Sequence, residues 1–305
     1  MSHTHGTLGA MLGLAVGDAL GAQVEFADPH RARELVASGL KMADSPSWAA
    51  GEWTDDTALA LELAESIGQR GLLDPDDLAC RYIRWAIDDG RGIGRATRAA
   101  LVGASGAADA RRRAADFHVS TGMGASNGTV MRCAPIGLAA ARIAEARAAA
   151  AEDACLTHAH PAAAPASAAL CAALIALREG EDPLAAAQAE ARAQPELVRT
   201  LELAAATDRD ALAELAIGPG AGACWTTLAI ALCALELGDY EMGVGWAISL
   251  GGDADTNAAV AGVLLGYRHG LGAIPGRWLE PLAERDRLEL AATALANSCQ
   301  ATVPP

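Results

Sequence analysis

Glycines at 9, 13, 17 and 21 recur at a four-residue interval inside an apolar segment running from Gly6 to Ala22. In a helix this interval puts all four on one face, where no Cβ projects and a second backbone can come close. A chain with such a stripe can make a close helix–helix contact there. In a lipid-embedded helix the same stripe would signal dimerisation, but Asp18 lies within it and the segment is short, so packing in a soluble core is the preferred reading. Composition points the same way. Hydrophobic residues make up 52% of the 305 residues and aromatics only 4%, with alanine filling much of the apolar quota. Alanine has the best helix propensity and a small cross-section, which favours closely packed helices.

Along the chain, Pro29 opens a short helix, and a turn-rich stretch from Met42 to Gly51 leads to Trp53. Leu59, Leu61, Leu63, Ala64 and Ile67 predict an amphipathic helix over 57–67, and Leu78, Tyr82, Trp85 and Ala86 predict another from near Pro75. The stretch from Gly103 to Gly128, rich in glycine, serine and arginine, reads as a long loop with some helix. Helical segments are expected from Pro135, Pro165, Pro183 and Pro195, and a break at Pro219–Gly222 precedes an apolar helix over 225–237. The last strong helix is predicted over Thr256–Gly270. Period-two alternation hardly appears and no internal repeat is visible, so one all-α domain spanning 1–305 is the economical expectation.

The net charge of −15, from 38 acidic and 23 basic residues, repels a phosphate backbone, so extended nucleic-acid contact is disfavoured. It suits a protein whose site holds cations. Lys41 is the only lysine and follows no glycine-rich turn, which excludes a P-loop. The seven cysteines are odd in number and form no CxxC pair, so neither a disulfide framework nor a cysteine zinc site is indicated. They read as small, mostly buried apolar residues in a reducing compartment. The polar start from Met1 to Gly6 has no signal-peptide pattern, and the charge-free stretch from Pro161 to Leu177 is too alanine-rich for a membrane span. A soluble, cytoplasmic protein without membrane contact is expected.

Two clusters stand out as chemistry. Thr54-Asp55-Asp56-Thr57 and Gly251-Gly252-Asp253-Ala254-Asp255-Thr256-Asn257 each lie directly ahead of an apolar helix. A helix N-cap accounts for one acceptor in each, but each brings two carboxylates and a threonine. Four carboxylates brought together repel unless a cation compensates them, and helix dipoles are too weak to balance them all. Carboxylate and hydroxyl oxygens are the hard donors preferred by Mg²⁺, Mn²⁺ or Ca²⁺ over zinc.

WTDDT at 53–57 and LGGDADTNAAVAGVLLG at 250–266 resemble the ADP-ribosylglycohydrolase family. GLAVGDALGAQVEF at 13–26, SNGTVMRCAPIG at 126–137 and THAHP at 157–161 resemble it in the same order. The resemblance implies an all-α fold, a compact orthogonal helical bundle with a binuclear metal site in a central cleft. It implies two Mg²⁺, with Mn²⁺ possible, held by Thr54, Asp55, Asp56, Asp253, Asp255 and Thr256. It also implies Glu25 as general acid or base, with Asp55 or another of the aspartates assisting catalysis. Gly122, Gly124, Ser126, Asn127 and Gly128 would cradle a diphosphate through backbone amides, and Met131 and His158 would line the ADP-ribose cleft. The expected reaction is Mg²⁺-dependent hydrolysis of the glycosidic bond joining ADP-ribose to a modified protein or small molecule, with ADP-ribosyl-arginine as the default. Two departures bear on substrate. Many relatives carry Asp-x-Gly-Asn-Thr-Thr-Arg where this chain has Gly92-Ile93-Gly94-Arg95-Ala96-Thr97-Arg98, leaving Asp88 or Asp89 as substitutes for the acid, and an adenine-stacking aromatic corresponds to Ala223.

Three other readings compete. A fold weakened at Gly92 would serve as an ADP-ribose or nucleotide sensor. Gly124-Ala125-Ser126-Asn127-Gly128 fits GxSxG, the nucleophile elbow of serine hydrolases, with His158 or His269 as base, but that elbow needs a buried strand before it. Cys155, His158 and His160 match no standard zinc spacing and read better as a loop or helix-start pair.

Overall fold

A computed structural model describes residues 2–71 and 73–301. Among them the chain forms seventeen α-helices and two short 3₁₀ turns, with no sheet and one isolated antiparallel bridge between Ser126 and Ala223. The first helices are α1 (His3–Gly21), α2 (Pro29–Ala37), α3 (Asp55–Arg70), α4 (Pro75–Asp88), α5 (Arg95–Leu101) and α6 (Ala107–Thr121). The middle of the chain forms α7 (Ala134–Ala139), α8 (Ile143–Cys155), α9 (Ala163–Glu179), α10 (Pro183–Ala191), α11 (Pro195–Ala205) and α12 (Arg209–Ile217). The last are α13 (Cys224–Leu235), α14 (Tyr240–Ser249), α15 (Ala254–His269), α16 (Gly276–Leu279) and α17 (Arg285–Ala301). No described helix is long and apolar enough to cross a membrane.

The glycine stripe makes the central crossing. α1 lies against α15, and a methyl group built on Gly9, Gly13, Gly17 or Gly21 would overlap the backbone at Gly266, Gly262, Ala258 or Asp255 respectively. The partner helix answers in kind, because Gly262 and Gly266 leave the same room for α1. Both helices are buried nearly all round, which explains why neither shows a polar face. The hydrophobic core runs continuously from Ala10 in α1 to Leu295 in α17.

Two stretches differ from expectation. The segment expected to be mostly loop between Gly103 and Gly128 contains the fifteen residues of α6. Its interior is alanine and arginine, both good helix formers, and Arg112 pairs with Asp109 and Asp116 at helical spacing, while the glycines fall at its ends. The helix over 256–270 is followed by α17, whose buried Leu288, Ala292 and Leu295 pack in the core and whose charged face pairs Arg287 with Glu62 and Glu65 of α3. Of the cysteines, Cys133, Cys171, Cys224, Cys233 and Cys299 are buried, Cys155 is partly so and Cys80 is exposed.

Candidate active site

The α1–α15 crossing and the start of α3 bring the two acidic clusters together. Asp18, on α1 and fully buried, is the joint. The Thr54 amide donates to both of its carboxylate oxygens at 3.0 Å, the Thr57 amide donates at 3.0 Å, and the Thr57 hydroxyl donates at 2.6 Å. All these partners are donors, so the arrangement holds a carboxylate, although burial pushes its pKa up to about 6. Asp18 thereby fixes the N-terminus of α3 to α1.

From that anchored end, Asp55 and Asp56 face the N-terminus of α15. The Thr54 hydroxyl donates to Asp56 Oδ2 at 3.2 Å, and the Thr256 hydroxyl donates to the same oxygen at 3.4 Å. The other oxygens, Asp56 Oδ1 and Asp255 Oδ1, are buried without any hydrogen-bond partner. Burial, followed by the neighbouring carboxylates, drives Asp56 and Asp255 well above the ordinary carboxylate range and raises Asp55 to about 7. Asp253 is positioned from the side, where Asn127 Nδ2 donates to its Oδ2 at 2.8 Å and to Thr227 Oγ1 at 3.0 Å. Orphaned buried oxygens, an all-oxygen donor set and crowded negative charge are what a hard divalent cation requires.

The cluster forms one wall of a cavity of about 600 Å³. Its lining carries five carboxylates, Glu25, Asp55, Asp56, Asp253 and Asp255, against one basic side chain, Arg95. Glu25 is half-buried, and burial, then Asp253 and Asp18, raise it to about 7. Gly124, Ser126, Asn127, Gly128 and Met131 line the cavity as well. Their loop is tied to the start of α13 through the Asn127 amide to the Gly222 carbonyl and the Cys224 amide to the Ala125 carbonyl, both at 2.9 Å. Thr54, Gly122 and His158 stand outside the lining. Thr54 caps α3 at the Asp56 amide, and Gly122 is the exposed left-handed cap of α6.

His158 is buried beneath the loop and holds Ser126. Its Nε2 lies 2.7 Å from Ser126 Oγ and its Nδ1 lies 2.8 Å from Thr157 Oγ1. Buried Arg132 donates to that same threonine oxygen at 2.8 Å, to the Gly128 carbonyl at 2.8 Å and to Asp153. The threonine oxygen has two lone pairs and one proton, so it can serve either tautomer of His158 while accepting from Arg132. Burial, then Arg132, hold His158 down at about 3, so it stays neutral. His158 Nδ1 meets a threonine hydroxyl in place of an orienting carboxylate, and no strand precedes the loop among the described residues, so the nucleophile-elbow arrangement is not built here.

The two departures have local answers. A methyl built on Gly92 would sit 2.6 Å from Asp55 Oδ1, so Asp55 already fills the space of a side chain at 92. Asp88 and Asp89 are exposed outside the cavity, and Asp89 pairs with Arg91 at 3.0 Å. Ala223 lines the cavity without a ring, but Phe117 and Trp225 also line it. Sequence reasoning missed both, along with Asp18, Arg95 and Phe26. One signal was available, because the chain has only two phenylalanines and both border this cavity.

An all-helical chain with this acidic cleft matches the ADP-ribosylglycohydrolase family over residues 4–304. The chain belongs to that family and is an ADP-ribosyl glycohydrolase, a hydrolase of glycosyl bonds. Its particular likenesses are to ADP-ribosylarginine hydrolase Tri1 of Pseudomonas putida (strain GB-1), 31% identical with 94% of this chain and 76% of the relative covered. It is likewise similar to the ADP-ribosyl-[dinitrogen reductase] glycohydrolase of Rhodospirillum rubrum, 31% identical over 90% of this chain and 89% of that one. A solved structure titled "ADP-ribosylglycohydrolase-related protein complex" superposes with a TM-score of 0.71 at 37% identity, covering 98% and 99% of the two chains.

Proposed function

We propose that the chain hydrolyses the N-glycosidic bond between ADP-ribose and an arginine side chain of a modified protein, using two Mg²⁺ ions or Mn²⁺ in their place. The observation that carries this reading is the meeting of the α3 and α15 N-termini, which leaves Asp56 Oδ1 and Asp255 Oδ1 buried and unpaired beside a 600 Å³ cavity. One relative named for ADP-ribosylarginine and one named for ADP-ribosylated dinitrogen reductase support the choice of bond. Thr54, Asp55, Asp56, Asp253, Asp255 and Thr256 would hold the ions. When bound, the metal supplies Lewis-acid polarisation of ribose hydroxyls and of a water nucleophile.

The chain's own groups do the rest. Backbone amides of Gly124 and Gly128 are available to a diphosphate, while the Asn127 amide is spent on the Gly222 carbonyl, and Ser126, held by His158, adds a hydroxyl beside them. Arg95 adds the one positive side chain of the lining. Phe117 and Trp225 offer rings to adenine where Ala223 has none, with Met131 beneath. Glu25 is the half-buried carboxyl of the lining outside the proposed ligand set, placed to hold or release a proton. It protonates the departing guanidine or takes a proton from the attacking water as the anomeric carbon passes through an oxocarbenium-like state. Asp55, filling the space beside Gly92, is the second carboxylate assigned to the chemistry. That occupancy favours turnover over the reading of a sensor weakened at Gly92.

The test is release of ADP-ribose from arginine-ADP-ribosylated protein, in Mg²⁺ and in EDTA. Release in Mg²⁺ and loss of at least about 10²-fold in EDTA, roughly 3 kcal/mol of barrier, are expected. A full rate in EDTA would overturn the metal assignment, and no release in either would overturn the arginine linkage.

A further inference from the structure

A second cavity, of about 380 Å³, adjoins the first and is lined by Pro29, Arg33, Arg209, Ile217 and Trp246. The Gly251–Gly252 turn, both residues at positive φ, joins Leu250 in the lining of the second cavity to Asp253 in the lining of the first. Gly251 abuts the backbone at Ala27–Pro29, and a methyl built on Gly252 would lie 2.5 Å from the Ala216 carbonyl and 3.5 Å from Ile217 Cγ2.

Two exposed apolar side chains form a ridge at this turn. Phe26 is 78% exposed and Ile217 51% exposed. Phe26 also sits at φ +58°, a left-handed conformation that costs a bulky residue on the order of 1–2 kcal/mol. Two hydrogen bonds hold it there, the Phe26 amide to the Gly252 carbonyl at 2.6 Å and the Gly252 amide to the Ala27 carbonyl at 2.9 Å. A strained, exposed ring next to Glu25 is a candidate contact for a partner. Beyond the ridge, neither Arg33 nor Arg209 makes an ion pair among the described residues, in a chain of net charge −15.

We propose that this ridge and second cavity dock the polypeptide that carries the ADP-ribosylated side chain. The inference rests on the glycohydrolase reading above. With ADP-ribose in the first cavity, the scissile bond lies beside Glu25, so the target's backbone leaves over Phe26 and Ile217. There it offers an apolar side chain to the ridge and to Trp246, and a carboxylate to Arg33 and Arg209. Asp210 and Glu214 also line the cavity, so a uniformly acidic chain is rejected and a mixed apolar–acidic segment is preferred. Ile217 and both arginines lie outside the catalytic cavity, so their contribution is to target choice and not to bond cleavage.

The experiment compares Ile217→Ser and the double variant Arg33→Glu/Arg209→Glu with the parent protein in Mg²⁺, on free ADP-ribosyl-arginine and on an arginine-ADP-ribosylated protein. The expected result is a KM for the modified protein raised roughly 10-fold, kcat within about twofold, and both constants for the small substrate unchanged, the size of effect usual for an exposed apolar or charged contact at a protein interface. Equal losses on both substrates, or no change on either, would overturn the docking role. If the parent protein cleaves neither substrate, the arginine reading falls and the docking inference with it. Parent activity with unaffected variants removes the docking inference alone.

Discussion

Asp255 shows how a single residue can be a liability to the fold and a requirement of the site. Its Oδ1 is buried without a partner, close to Asp56 and Asp253, whose charges oppose its ionisation. Asp255→Asn keeps the shape and removes the charge. The metal-free protein should then gain about 1–2 kcal/mol in urea unfolding, while the stabilisation by Mg²⁺ disappears and turnover falls at least about 10²-fold. A variant still stabilised by Mg²⁺ would remove Asp255 from the proposed ligand set. At this scale the sequence was readable where chemistry exceeded need, since each acidic cluster holds more acceptors than a helix cap uses. Asp18 was not readable, because its partners Thr54 and Thr57 lie far along the chain. Its one signal was a lone acid in an otherwise apolar helix.

At the scale of elements, the crossing of α1 and α15 sets where the chemistry sits. Asp18 rides on one helix and Asp255 on the other, so a small separation of the pair displaces both. Gly13→Ala would push a methyl into the Gly262 carbonyl, in a core with no space to yield. The expected cost is about 2–3 kcal/mol, measured by denaturant midpoint, together with a weaker Mg²⁺ response. A variant as stable as the parent would mean the two helices can part without penalty. The glycine spacing announced a tight crossing, but it did not name α15 as the partner. α6 and α17 were underread for a related reason. Their apolar faces are made of alanine and scattered leucine among charges, and the arginines and glutamates that look like loop pair across helices, as Arg287 does with Glu62 and Glu65.

For the whole molecule, the gathered carboxylates make stability depend on pH and on cations. Glu25 and Asp55 stand at about 7 in the folded protein, against ordinary values of 4.5 and 3.8. As pH rises through that window the unfolded chain releases protons that the folded chain keeps, so the metal-free protein loses stability from about pH 4 to about pH 7. Above it the carboxylates are charged in both states and their repulsion remains. A divalent cation bound at the cluster offsets that repulsion, so Mg²⁺ should raise the melting temperature by several degrees, roughly 4 °C or more, at about pH 8 and by little at about pH 5. A metal-free melting temperature that does not fall across this range, or an equal Mg²⁺ effect at both ends, would contradict the arrangement.

The sequence by itself determined the helical class, the tight crossing of α1 and the two acidic turns ahead of α3 and α15, because helix propensity, glycine spacing and excess acceptors are local properties. Tertiary structure alone decided that the turns meet, that Asp18 joins them and that Asp55 occupies the space beside Gly92. It also decided that His158 is buried between Ser126 and Thr157. Those relations depend on which backbones approach within a few ångströms, and a linear order of residues does not record that distance.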